Sequence, residues 1–348
     1  MSDMRSKLNL KALNIARRSL TIIDMIRVSL VLIYCFFYIV YFNQNYAFYT
    51  IVMSVFFTLG DIGNDFKNRM KIHGYLLVSC NILFLISAYV QSSMLLLLSF
   101  YTILTVVFVL LAKKYGPMMM FIIAPLCISS FTSINTISFF STQIIQILLN
   151  ISLASFCSFI IKFYLWPTSA GLMLENNKLS VDVINYGLQL SIAVIITITV
   201  ILYFNIPSPF TMMIIIISGS VMNHELNKNR LMHRVIATFL GIIISPFIIK
   251  LVLITGSSFL ILSISYLGVM AIIYTFYHYS FGLCYFLVTF ILGVMNCMTK
   301  ILHPETVMVW DPFTFYTMRL GQVLIAVAIF YIVMILFPVK QNNGRIIE

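Results

Sequence analysis

The chain has 348 residues, of which 61% are hydrophobic and 9% charged, with a mean hydropathy of +1.04. A water-soluble domain carries about 25% charged residues, so this composition excludes one and points to an all-α polytopic membrane protein with little mass outside the bilayer. The net charge of +11 would suit nucleic acid only if the basic residues formed one patch; they fall between apolar runs instead, and no nucleic-acid partner is expected.

In chain order, residues 1–21 alternate basic and apolar positions, with Leu8, Leu13, Ala16 and Leu20 near one helical face, and read as a cytoplasmic segment lying on the membrane surface. The first apolar run, 22–42, is too long for the core of a cleaved signal and is expected to stay as a span. Asn43-Gln44-Asn45 turns the chain into a short run, 46–60, and a basic loop, 60–73, follows. Spans are then read over 72–89, 93–111, 117–134 and 142–165, and Trp166-Pro167 closes a six-span unit over 22–167. A linker, 168–181, leads to a second unit over 182–338. Its spans are read near 183–204, 209–222, 235–254, 258–276, 280–298 and 317–337, closed by Phe337-Pro338 and followed by a cytoplasmic tail, 339–348.

Two markers suggest that the halves are copies. Lys67-Asn68-Arg69 recurs as Lys228-Asn229-Arg230, and Tyr41-Phe42-Asn43 as Tyr203-Phe204-Asn205, both roughly 160 residues apart. With an even number of spans in each half, the expected fold is about 12 membrane segments forming two parallel six-span repeats. Arg5, Lys7, Lys11, Arg17, Arg18, Arg27, both KNR stretches, Lys113, Lys114, Lys178, Lys340 and Arg345 then fall on one side, and Lys250, Lys300 and Arg319 on or near the other. That asymmetry places both termini in the cytoplasm.

Six cysteines lie inside apolar runs without metal-ligand spacing, so neither a disulfide framework nor a metal site is indicated, and no cofactor is expected. HExxH, GxGD and a nucleophile elbow are all missing from the sequence, which argues against an enzyme. The second run of each half, 46–60 and 209–223, holds only about 15 residues, roughly 22 Å against an apolar core of about 30 Å. Short segments bordered by Gly60, Gly63, Pro207, Pro209 and Gly219 at matching places in two halves mark a transporter binding site, or else tilted helices in a thinned bilayer.

A six-span unit with a short second span, a basic loop and then R-x-x-x-T-x-x-G, here Arg234, Thr238 and Gly241, resembles the fusaric acid resistance protein-like and aromatic acid exporter (FUSC) superfamily. The Arg319-led last helix ending in Phe337-Pro338 is similar to that family's closing span. The resemblance implies a multi-pass protein of the bacterial inner membrane, exporting small aromatic or other weak organic acids by proton-coupled secondary transport. A channel-like organic anion pore and a non-transporting assembly protein are the alternatives. The first copy departs from the pattern, with His73, Leu77 and Cys80 in the places of Arg234, Thr238 and Gly241, and Arg27 in the place of Gln189.

Exporting an organic anion requires positive charge at the cytoplasmic opening and a fixed cation deeper in, a task suited to the bidentate guanidinium. Arg234, with Thr238 one turn on and Gly241 permitting close helix approach, is the leading candidate for substrate binding; Arg230 and Arg69 are read as loop partners gathering anions. Arg27 and Arg319 begin long apolar helices and are candidates on the cost of charge in a membrane. Phe48 and Phe210 stand beside the short segments and could stack on an aromatic substrate. Asp61, Asp65, Glu225, His73, His224 and His233 are the candidates for proton coupling. The polar stretch 300–319, with His303, Glu305, Trp310 and Asp311, caps the exit, docks a periplasmic adaptor protein or simply connects two spans. Assembly into a homo-oligomer stays open.

Overall fold

A computed structural model describes residues 22–35, 47–63, 65–116, 119–131, 142–167, 177, 181–206, 212, 224–255, 258–277, 283, 286, 287, 290 and 312–337. Expectations on residues 1–21, most of the linker 168–181, Phe210 and most of the short run 209–222, most of the span 280–298, residues 300–311 and the tail 339–348 lie outside them. The described residues form helices and no strand. In order these are α1 (22–35), α2 (Ala47–Leu59), α3 (Phe66–Val90), α4 (Met94–Tyr115), α5 (Met120–Phe131), α6 (Thr142–Ile160), α7 (Val181–Tyr203), α8 (His224–Thr255), α9 (Ser258–Tyr277) and α10 (Pro312–Leu336). Five helices, Phe66–Val90, Met94–Tyr115, Gln143–Leu165, Val183–Tyr203 and Tyr316–Leu336, are long and apolar enough to cross a bilayer.

Along the membrane-spanning part of α3, Tyr75, Val78, Ile82, Ile86 and Tyr89 point outward, while the buried face mixes Arg69, His73 and Ser87 with Leu76, Cys80 and Phe84. An outer face of large apolar side chains suits hydrocarbon as solvent, and the chain is a multi-pass membrane protein. Several buried hydroxyls bond within their own helices, as in Ser54 to Thr50 O, Thr58 to Ser54 O, Thr105 to Tyr101 O and Thr197 to Ala193 O. At the C-terminal end of α3, the Ser87 and Tyr101 hydroxyls lie 2.6 Å apart and both donate to Ser130 O, which joins α3, α4 and α5.

Two basic stretches read from the sequence as loops are helical. The Asp65 carboxylate accepts the Asn68 N–H at 2.7 Å and starts α3, so Lys67, Asn68, Arg69 and His73 sit on its first turns. Asn227 to Gly241 lies within the 32 residues of α8. Lys, Arg, Met and Asn carry no backbone bar to helix, and polarity alone does not break one.

α2 has 13 residues, about 20 Å, and does not span an apolar core by itself. It packs on α5 and α6, with Cys35 of α1 3.3 Å from Ser54 Oγ and His73 of α3 against Phe57; Thr50, Met53, Ser54, Phe57 and Thr58 are fully buried, and it ends inside the protein at Gly60-Asp61. α6 runs on into a π-helical turn, Ile161–Leu165, closed by the Trp166 N–H on Ile161 O at 2.8 Å. Across the sequence, α4 packs on α7 and α10 packs on α7 and α8. Ser191 of α7 donates to Thr102 O of α4 at 3.2 Å, and Ser29 of α1 lies 3.5 Å from Met270 Sδ of α9. Asn177, in the linker, donates its N–H to Lys114 O at the end of α4.

Gly63 holds φ +127°, and a Cβ there would lie 3.1 Å from Arg69 Cγ and 3.3 Å from the Arg69 backbone N. Gly63→Ala is therefore expected to cost about 2 kcal/mol through a conformation nearly closed to L residues. Gly74, mid-helix with open space around it, should gain roughly 0.5–1 kcal/mol on replacement by Ala. Thermal unfolding of the two variants in detergent checks the pair, which must move in opposite directions.

Candidate functional site

The connection from α2 to α3 is short and glycine-flanked, so it drops Asp61 between α1, α3 and the end of α6. The Asp61 carboxylate is the hub of a buried basic cluster. Arg69 grips it side-on, Nε to Oδ1 at 2.8 Å and Nη2 to Oδ2 at 2.5 Å, and Arg27 Nη1 reaches Oδ2 at 2.7 Å. Relative exposure is 4% for Asp61, 2% for Arg69 and 1% for Arg27. Arg27 also donates Nε to Trp166 O at 3.0 Å and Nη2 to Lys162 O at 3.3 Å. Its charge thus sits at the negative end of the α6 dipole and satisfies carbonyls that the helix leaves open. Asp24, one turn earlier on α1, lies 3.8 Å from Arg27 Nη1.

The third cation is Lys162, fully buried on the π-helical turn. Its Nζ donates to Phe57 O at 2.8 Å and lies 3.1 Å from His73 Nδ1. His73 Nε2 faces Ser155, 2.9 Å from Oγ and 3.1 Å from the carbonyl. Aromatic rings wall this side: Phe57, Phe159 and Phe163 surround His73 at centroid separations of 5.5 to 6.0 Å. The Phe163 ring lies 5.5 Å from Arg69 Cζ and 5.4 Å from Lys162 Nζ. With Lys162 protonated, three cations meet the two carboxylates Asp24 and Asp61, and one positive charge is left over.

Burial would push the Asp61 carboxyl up. The Arg69 hydrogen bond, with the charges of Lys162, Arg69 and Arg27, outweighs it and holds the carboxyl below its ordinary value of 3.8. What the arrangement provides chemically is a fixed positive site lined by rings, formed by α1, α3 and α6 around one internal counter-ion.

Of the sequence candidates, Arg27, Asp61, Arg69 and His73 are thus brought together. The placement of Arg69 in a loop is corrected: it sits on the first turns of α3, which turn it inward onto Asp61. Arg27 does not snorkel to the membrane surface as a residue near a helix end can; it points into the protein. Asp65 is the exposed cap of α3. Thr238 and Gly241 are buried along α8, and Arg319 is buried on α10. His233 is exposed. The side chains of Phe48, His224, Glu225, Arg230 and Arg234, and the whole of Phe210, lie outside the described residues. Lys162 was missed; a lone lysine inside the apolar run 142–165 was the available signal. In the second half, Gln189 Nε2 donates to Phe337 O at 2.8 Å, as Arg27 Nε does to Trp166 O.

Asp61→Asn leaves two buried guanidiniums without their shared counter-charge and is expected to cost about 3–5 kcal/mol. Because folding lowers the Asp61 pKa, its stabilisation is complete above the ordinary value and fades as pH falls from there through the folded value. Thermal unfolding in detergent should therefore show a gap between wild type and variant that is wide at pH 7 and narrows below pH about 4; a gap independent of pH would mean that Asp61 is not the ionised hub.

In comparisons with protein families, curated proteins and solved structures, nothing matches the chain.

Proposed function

We propose that the protein is a secondary transporter of the FUSC type, exporting small aromatic or other weak organic acids across a bacterial inner membrane with proton coupling. The observation that carries this reading is the buried cluster of Arg27, Arg69 and Lys162 with its single excess positive charge. Charges at membrane depth are expensive, and a cation surplus walled by Phe57, Phe159 and Phe163 suits a monovalent aromatic carboxylate. The carboxylate shares or takes over the guanidiniums that Asp61 holds, and its ring lies against the phenylalanines.

The proposed architecture is two parallel six-span repeats with both termini in the cytoplasm. Matched contacts support it. Arg27 and Gln189 each bond the carbonyl that precedes the closing proline of their half, at Trp166 and Phe337. Ser29 and Ser191, at the same spacing along the chain, each touch the penultimate long helix of the opposite half, at Met270 and Thr102. Arg234, Thr238, Gly241, Arg230 and Arg319 are the second half's candidates for substrate binding in this reading, with Phe48 and Phe210 as candidate stacking partners.

Benzoate efflux from proteoliposomes tests the proposal. Arg27→Gln and Arg69→Gln should each reduce efflux at least about tenfold, in line with losing one charge-assisted carboxylate contact worth roughly 1.5–3 kcal/mol. Arg234→Ala should abolish efflux at equal protein content. Efflux no faster than in empty vesicles would remove transport of aromatic acids, and flux indifferent to an imposed proton gradient would favour an anion pore.

A further inference from the structure

The charge of the Asp61 cluster can change at few places. Arg27 and Arg69 keep their protons at any relevant pH, and Asp61 is held ionised by both of them at 2.5 to 2.8 Å. Asp24 stands off the centre, 3.8 Å from Arg27 Nη1, whereas Lys162 and His73 are bonded to each other, Nζ to Nδ1 at 3.1 Å. Among the described residues no carboxylate lies within ion-pairing distance of Lys162; its other acceptor is the neutral Phe57 carbonyl. When the ammonium donates to Nδ1, the neutral imidazole carries its hydrogen on Nε2, where Ser155 Oγ and O stand ready to accept it.

We propose that Lys162 and His73 form a proton-carrying pair that sets whether the cluster holds a monovalent carboxylate. This rests on the anion-export reading and adds to it the element that couples charge to binding. With one exchangeable proton on Lys162 the cluster has one net positive charge and accepts one carboxylate; without it the cluster is neutral and releases the anion. In the release step the proton passes from Lys162 Nζ to His73 Nδ1, and the resulting imidazolium gives its Nε2 proton to the Ser155 hydroxyl, which passes its own on to solvent; uptake is the reverse. The charged groups facing the pair are Asp24 and Arg27 from α1, Asp61 from the α2–α3 connection and Arg69 from α3. From α2 the Phe57 carbonyl accepts from Lys162 and the Phe57 ring lies against His73. The π-helical turn matters because it is the stretch that carries Lys162 into this position.

The test is calorimetric titration of benzoate into the full chain in lipid nanodiscs, run in two buffers of different ionisation enthalpy at the same pH. Wild type should give different apparent heats in the two buffers, the mark of a proton taken up on binding. Lys162→Arg fixes the charge, so it should bind at least as tightly as wild type and lose the buffer dependence; His73→Gln keeps hydrogen bonding without a basic nitrogen, so it should bind more weakly and reduce the dependence. Melting curves of both variants confirm that they are folded. Equal wild-type heats in the two buffers, or a buffer dependence that survives in both variants, overturns the proton pair while leaving the anion site in place. A wild type that takes up no benzoate overturns the export reading and the inference with it.

Discussion

Asp61 between Arg27 and Arg69 is the contact on which the rest of the first half depends. One carboxylate serves two guanidiniums from helices that otherwise have no reason to converge, and it does so where water is scarce and each uncompensated charge would cost several kcal/mol. The geometry leaves little slack. Arg69 uses both its Nε and a terminal nitrogen, Arg27 uses the remaining direction, and the backbone at Gly63 adopts a φ that only glycine tolerates so that the chain can pass beside Arg69. The short helix α2 makes sense in this light. Its length is set by the need to end at the cluster, inside the protein, with its polar C-terminal turn enclosed by neighbours and away from lipid.

The same constraint explains the π-helical turn of α6. A helix that stopped at residue 160 would leave open carbonyls in the bundle; the wider turn carries on to Trp166, and its carbonyls at Lys162 and Trp166 receive Arg27. The arginine thus neutralises an acid and caps a helix in one position. The Lys162 side chain, on the same turn, reaches α2 and α3 together through Phe57 O and His73. Four elements are fastened by polar contacts at one end of the bundle. At the other end of α3 the neutral Ser87, Tyr101 and Ser130 contacts fasten three.

Much of this was readable in the sequence, for physical reasons. Hydropathy runs marked α3, α4, α6, α7 and α10 to within a few residues, since a helix in hydrocarbon must be apolar over its length. The shortness of α2 followed from Gly60 and from the small number of residues before it. The state of the basic stretches did not follow, because charge reports where a segment prefers to sit and says nothing against helix; the deciding residue was Asp65, whose cap turns Lys67 to His73 into helical turns. Arg27 and Arg69 were singled out as cations, but their meeting on Asp61 is a tertiary fact, carried by how three helices cross. Lys162 was hidden by its company: within 142–165 it looks like one tolerated charge in a span, and only the π-helical turn gives it a direction.

In the proposed repeat, the halves have kept the frame and divided the chemistry. Where Arg27 bonds the carbonyl before Pro167, Gln189 bonds the one before Pro338, so the cap is retained and the charge is not. Four residues before Trp166 stands Lys162; four before Phe337 stands Val333, buried and apolar. The position of His73 in α3 is taken by Arg234 in α8. In the proposed anion path, a titratable pair in one half and a permanent cation in the other let one side change its charge while the other holds the route open. Two identical basic clusters would bind too tightly to let go, and two neutral ones would not bind at all. On that reading divergence between copies is what makes a duplicated bundle useful: the Gln189 to Phe337 bond fastens α7 to the end of α10 without a charge, as the Arg27 to Trp166 bond fastens α1 to the end of α6 with one.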